Sequence, residues 1–191
     1  MRITKKLPLT LLTVIIFVQI DCSLMRQEQR KQGENLLTNN PIKNTGNLVF
    51  SIDCDKDQYL LGENIYLSFT LENKDTISFL VEDDFMVNAP SAPPSARRVY
   101  LHVTSPTNED LGFTDFIEVG YPTKDLFASI GPGEKVHSHR YLLNESYRIN
   151  SIGKYRVKGV YENYYGPELG FKNVWMGKVE SQPIEFKVVE K

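Results

Sequence analysis

From Asn47 to the C-terminus, short runs rich in Val, Ile, Tyr, Phe and Leu alternate with polar residues, and Gly, Pro, Asn and Asp punctuate them. A period of two places successive side chains on opposite faces, so the pattern reads as β-strands. The clearest case puts Ile65, Leu67, Phe69 and Leu71 on one face and Tyr66, Ser68, Thr70 and Glu72 on the other. Strands are predicted near Leu48 to Asp53, Asn64 to Glu72, Ser78 to Val81, Arg98 to Thr104, Phe113 to Glu118, Lys135 to Leu142, Lys154 to Tyr161 and Ile184 to Val189. No window after Asn47 carries an amphipathic helix of ten or more residues. Strands at this spacing without helices favour a sandwich or barrel, and a parallel sheet is disfavoured because its crossovers are usually helical. The expected fold is all-β, one antiparallel sandwich of seven to nine strands.

Two insertions break the rhythm. Glu82 to Arg97 contains Asn88-Ala89-Pro90-Ser91-Ala92-Pro93-Pro94, and proline, lacking an N–H, excludes a central strand there. Asn163 to Met176 carries Tyr164, Tyr165, Phe171 and Trp175 among glycines and a proline. Long loops on a rigid scaffold are where binding surfaces are built.

The N-terminus has a different texture. Arg2, Lys5 and Lys6 precede a greasy run from Leu7 to Ile20, and Asp21 ends it, which is the layout of a secretory signal. Pro8, Thr10, Thr13 and Gln19 thin the run below what a spanning helix needs. Residues 1–22 therefore read as an export signal, and the polar stretch from Ser23 to Gly46 reads as a flexible tether. Cys22 stands where a lipoprotein carries its acylated cysteine, although a lipobox wants a small residue where this chain has Asp21. Lipidation of Cys22 and a signal cleaved nearby stay open as alternatives, and a lipid or an uncleaved signal would be the chain's route to a membrane.

A chain starting at Cys22 keeps 170 of the 191 residues, enough for one domain with a sizeable core. Removing a leader with three bases and one acid takes the formal charge from −2 to −4. Clustered Lys and Arg of the kind that bind nucleic acid are lacking. Cys54 alone lies inside the folded part and reads as a buried, inert thiol.

Several local patterns together resemble bacterial extracytoplasmic immunoglobulin-like modules. In Lys56-Asp57-Gln58-Tyr59-Leu60-Leu61-Gly62-Glu63-Asn64-Ile65 a Tyr precedes a Gly-Glu pair, like the first turn of those modules. Ile130-Gly131-Pro132-Gly133-Glu134 resembles their Pro-Gly-Glu turn, Ile152-Gly153-Lys154-Tyr155-Arg156-Val157 their penultimate strand, and Ser181-Gln182-Pro183-Ile184-Glu185-Phe186-Lys187-Val188 their closing strand. The resemblance spans about Asn47 to Lys191 and implies an immunoglobulin-like sandwich. Gly62, Gly131 and Gly133 suit positive φ, and Tyr155 suits a tyrosine corner. Val157 stands where an antibody domain has a disulfide cysteine, so packing must hold the sheets together. The pattern is also similar to the bacterial proteinase-inhibitor domain and to accessory domains beside some extracellular proteases.

Residues that could carry chemistry are few. Asp53, Asp55 and Asp57 have the alternation of a calcium loop, but Gln58 and Asn64 replace its Gly and Glu. His137 and His139, two apart on a predicted strand, would share a face, with His102 on another strand and no clear third metal ligand. Glu82, Asp83 and Asp84 read as a solvated acidic run. Asn144-Glu145-Ser146 matches a glycosylation acceptor. No nucleophile elbow, phosphate loop or cofactor motif is present. The sequence therefore points to a non-enzymatic binding or accessory protein of the cell envelope that takes no cofactor and meets a protein partner through its loops. The alternatives are a proteinase inhibitor presenting Ala89 to Ser95 to a protease and a structural surface protein. Candidate binding residues are Tyr164, Tyr165, Phe171, Trp175, Pro90, Pro93 and Pro94; Tyr161 and Trp175, which flank strands, suit a cap on the core better than a binding surface.

Overall fold

In the computed structural model, inward Leu, Phe, Ile, Tyr and Val of two sheets meet in one core. Residues 47–115, 120 and 122–191 are described. The expected signal, the tether and Cys22 lie outside them. In chain order the strands are β1 (Leu48–Cys54), β2 (Gln58–Leu60), β3 (Tyr66–Asn73), β4 (Phe79–Glu82), β5 (Val99–Thr104), β6 (Asp110–Leu111), β7 (Phe127–Ile130), β8 (Lys135–His137), β9 (Tyr141–Leu142), β10 (Gly153–Asn163), β11 (Gly177–Glu180) and β12 (Ile184–Val189). One helical turn, α1 (Leu143–Ser146), precedes β10.

One sheet runs β1-β3-β8, with β9 also on β3; the other runs β2-β12-β10-β5-β6, with β11 on β10; β4 and β7 form a separate ribbon. These layers make an all-β immunoglobulin-like sandwich. The predicted alternation holds in β3, where Leu67, Phe69 and Leu71 are buried and Ser68 is exposed. Phe50 of β1 packs against Phe69 and, across the sandwich, against Tyr161 of β10, each at 6.0 Å between ring centroids. Burying one such ring is worth about 1.5–3 kcal/mol. Gly159 lets the sheets approach: a Cβ there would stand 2.8 Å from both Ile52 Cγ2 and Phe50 Cε1.

The structure differs from the sequence expectation in four places. The pairing is antiparallel except between β2 and β12, which run parallel. Three residues from each end of the domain suffice for that pair, because the intervening domain supplies the crossover. Lys135 to Leu142 is two strands: Ser138 Oγ accepts a 2.9 Å bond from the Phe69 N–H, so a side chain interrupts the ladder. Instead of a strand beginning at Phe113, there is a single bridge from Phe113 to Tyr147, and Phe116 to Glu118 lie outside the described residues. Finally β2, β6, β7 and β11, with two to four residues each, are too short to register a period of two.

The turn chemistry follows the sequence closely. At Gly131-Pro132-Gly133-Glu134 the Glu134 N–H closes a 3.0 Å bond on the Gly131 carbonyl, with Gly133 at φ 76°. This type II turn needs its positive φ at the third residue, so Gly133 and, in its own turn, Gly62 meet the expectation and Gly131 does not. Tyr155 is a tyrosine corner: its hydroxyl donates to the Ser151 carbonyl at 2.9 Å and accepts from the Ser151 N–H at 3.2 Å. Its ring stacks on Phe186 at 5.4 Å.

A candidate site where the two insertions meet

At the far end of β10 from Tyr155, both insertions fold onto the same residues. Tyr161 points inward from β10, as its parity with Tyr155 and Val157 requires, and its hydroxyl donates to the Glu82 carbonyl at 2.9 Å. That bond fixes the start of the proline loop. The second insertion returns along β4, where the Leu80 N–H donates to Asn173 and the Trp175 N–H donates to Leu80, at 2.7 and 2.8 Å. The Trp175 ring then lies 5.6 Å from the Tyr161 ring.

Each insertion is pinned by a buried asparagine. Asn163 Nδ2 donates to the carbonyls of Tyr165 and Trp175, at 3.0 and 2.8 Å, while its Oδ1 accepts from the Tyr165 N–H. Asn88 Nδ2 donates to the Ala96 carbonyl at 2.9 Å, and its Oδ1 accepts from the Ala89 N–H. Both amides satisfy backbone groups that an irregular chain would leave unpaired, buried ones at Asn163 and part-buried ones at Asn88.

Two arginines join the loops. Arg97 Nη1 donates to the Pro90 carbonyl at 2.6 Å, inside the first loop. Its Nε lies 2.5 Å from Glu162 Oε1, an ion-pair contact without hydrogen-bond alignment, and its guanidinium lies 5.1 Å from the Tyr100 ring centroid. Tyr164, one residue into the second insertion, donates to Glu162 Oε2 at 3.1 Å. Burial first, then the charge of Glu162, pushes the Tyr164 phenol up to about 12. Arg98 is ion-paired with Glu82, and both side chains are almost wholly enclosed, at 1% and 0% exposure. Arg98 also donates to the Arg97 carbonyl at 3.1 Å and sits over the Tyr165 ring at 5.3 Å.

Glu82 corrects the solvated reading of Glu82, Asp83 and Asp84. Its carboxyl is interior, and its Oε2 has no hydrogen-bond partner among the described residues. Burial raises its pKa to about 7 against the opposing pull of Arg98. Asp83 and Asp84 are half-buried, and burial also raises the Asp83 pKa. Sequence reasoning missed Glu82, Arg98, Glu162, Asn88 and Asn163. The one local signal was Glu162, a lone acid in a run of aromatic and strand residues.

The candidate binding residues divide by depth. Trp175 and Tyr165 are interior, at 2% and 9% exposure, so their rings cap the core. Tyr164 and Phe171 are half-buried, Phe171 against Phe127 at 5.0 Å. Pro93 is exposed and Pro90 and Pro94 are half-buried. The proline loop folds on itself through the Ala92 N–H to Ala89 bond and a 3-10 turn over Pro94–Ala96. An extended segment, of the kind that docks as an added strand, is not what this loop presents.

The remaining candidates are committed elsewhere. Asp55 accepts from Tyr59 and Arg140, each at 2.6 Å, which holds its carboxyl below the usual range despite some burial. Cys54 is half-buried rather than buried, and burial pushes its thiol up to about 12, which disfavours the reactive thiolate. His137 ends β8 and meets Thr70 Oγ1 at 3.0 Å, while His139 lies past the strand, so the two do not share a strand face; His102 is in the other sheet. Among the described residues no group of three His, Cys, Asp or Glu is placed to hold a metal ion. Asn144 Nδ2 donates to the Glu63 carbonyl at 2.8 Å, which occupies the atom a glycan would need. Among the described residues no helix is long and apolar enough to cross a membrane.

No family model and no curated protein matches the chain. Among solved structures it is similar to the CARDB domain of the PF1109 protein of Pyrococcus furiosus, solved in complex with di-metal ions. The identity is 12%, the TM-score 0.37, and the match covers 79% of this chain and all of that one. The assignment of this chain as a sandwich rests on its own strand pairing.

Proposed function

We propose that this chain is a non-catalytic, exported binding or accessory protein of the cell envelope, and that it contacts a protein partner with the end of the sandwich where the two insertions meet. The observation that carries the reading is Arg97. One side chain bonds the proline loop at Pro90 and contacts Glu162 at the root of the aromatic insertion, so the two loops form one pre-organised surface. A surface already ordered before contact avoids much of the entropy cost of binding. Pro93, Pro90, Pro94, Tyr164 and Phe171 are its outward members. Export is supported by the layout of residues 1–22.

The test is chemical cross-linking of the full chain in its native envelope, followed by identification of the attached proteins, for wild type and for the double variant Tyr164→Ala, Phe171→Ala. A partner captured by wild type and lost from the variant, with an unchanged thermal midpoint, is the expected result. A variant that folds and keeps every wild-type partner would sink the loop-end reading. Intact mass of the mature chain tests processing of the signal separately: a product shortened near Cys22, with or without acyl mass, is expected, and an unmodified Met1 to Lys191 product contradicts cleavage and lipidation.

A further inference from the structure

The buried pair beneath the loops is unequally satisfied. Arg98 has, besides Glu82, the Arg97 carbonyl and the Tyr165 ring face for its positive charge. Glu82 has Arg98 on one oxygen and, among the described residues, no hydrogen-bond donor on the other. From β10 the Tyr161 hydroxyl reaches the backbone carbonyl of Glu82, so it gives the carboxylate no proton. From β7 the residue opposite is Phe127, which is apolar, and along the chain Asp83 and Asp84 add negative charge. An enclosed carboxylate with one bare oxygen is costly, and a neutral carboxyl there costs less, because Arg98 keeps the Arg97 carbonyl and the Tyr165 ring when the pair is discharged.

We propose that Glu82 is a proton-dependent brace under the two-loop surface: it takes up a proton in mildly acid solution, and the neutral form holds the insertions to the sandwich more firmly than the ionised one. The brace depends only on the buried geometry, not on the identity of any partner.

The linkage has a definite sign. A carboxyl whose folded pKa is raised, here from 4.5 to about 7, binds more protons in the folded than in the unfolded chain between those values. Its contribution to stability is complete below the unfolded value and is lost as pH rises through the folded one. One extra bound proton changes the folding equilibrium constant by about tenfold per pH unit in that window.

Denaturant unfolding of the full chain from pH 4.5 to 8 compares wild type with Glu82→Gln, which keeps the shape and removes the titration. The wild-type folding constant should fall by about tenfold per pH unit relative to the variant across most of the window. Hydrogen-exchange protection of the Asn88 and Trp175 amides should fall with it in wild type. Equal pH slopes in both proteins overturn the proposal. If Glu82→Gln does not fold, carbon-13 NMR of the wild-type Glu82 carboxyl decides instead. A titration midpoint near neutrality is expected, and one at or below the ordinary glutamate value overturns the proposal.

Discussion

Strand β10 carries two inward tyrosines six residues apart, and its two ends solve the same problem in opposite ways. At one end the Tyr155 hydroxyl is satisfied by Ser151, four residues away and exposed. At the other the Tyr161 hydroxyl is satisfied by the carbonyl of Glu82, 79 residues away and interior. The first end is closed by local chain geometry and needs no charge. The second stacks two acids and two arginines, three of the four side chains almost wholly enclosed, between two long loops. An end built from local turns is cheap to make, while the loop end is held by groups that are costly when separated.

The largest break in this comparison comes from Arg98→Ala. The change strands Glu82 in the interior, and removing one partner of a buried pair costs about 3–5 kcal/mol. Chemical denaturation at pH 7.5 should read a loss of that order, and at pH 5 a smaller one, because protonation of Glu82 relieves the stranded charge. An equal loss at both pH values would mean that Arg98 acts through packing alone.

Removing each hydroxyl in turn sharpens the contrast. Tyr161→Phe leaves a buried carbonyl without its donor, which costs about 1–3 kcal/mol. Tyr155→Phe frees the exposed Ser151 to bond with water and should cost about 0.5–1.5 kcal/mol, the net worth of an ordinary hydrogen bond. The thermal midpoints should therefore rank wild type, Tyr155→Phe, Tyr161→Phe from highest to lowest. The reverse order of the two variants would show that the local end carries more of the stability.

The same contrast explains what the sequence could reveal. Six predicted strands stand close to their limits because alternation is a property of neighbours, as in Ile65 to Glu72. The tyrosine corner was readable because Gly153, Tyr155 and the Ser151 turn lie within five residues. Both insertions were visible as breaks in period, and prolines and aromatics marked them as surface. Glu82 and Arg98 were not readable, since each takes its meaning from a partner 16 residues off and from Tyr161 and Tyr165 far beyond. Next to Asp83 and Asp84, an acid looks solvated until the fold encloses it. The break at Ser138 was hidden for a related reason, because the bond that ends β8 comes from Phe69 on a different strand.

The smallest effect expected is at the Tyr155 end, where the outward side of β10 carries the pair between Lys154 Nζ and Glu185 Oε2 at 2.7 Å. Like Arg97 and Glu162 at the other end it is a close pair of opposite charges, and although it is also an aligned hydrogen bond it is far more exposed: 69% and 49% here against 17% and 1% there. Water and salt screen an exposed pair, and holding two long side chains together costs entropy that offsets the attraction. Lys154→Ala should leave the denaturation midpoint unchanged within error at moderate salt, whereas Arg97→Ala should lower it clearly and loosen both loops. Comparable losses from the two variants would mean that burial does not distinguish the ends of β10, and the contrast on which the loop-end site rests would fail.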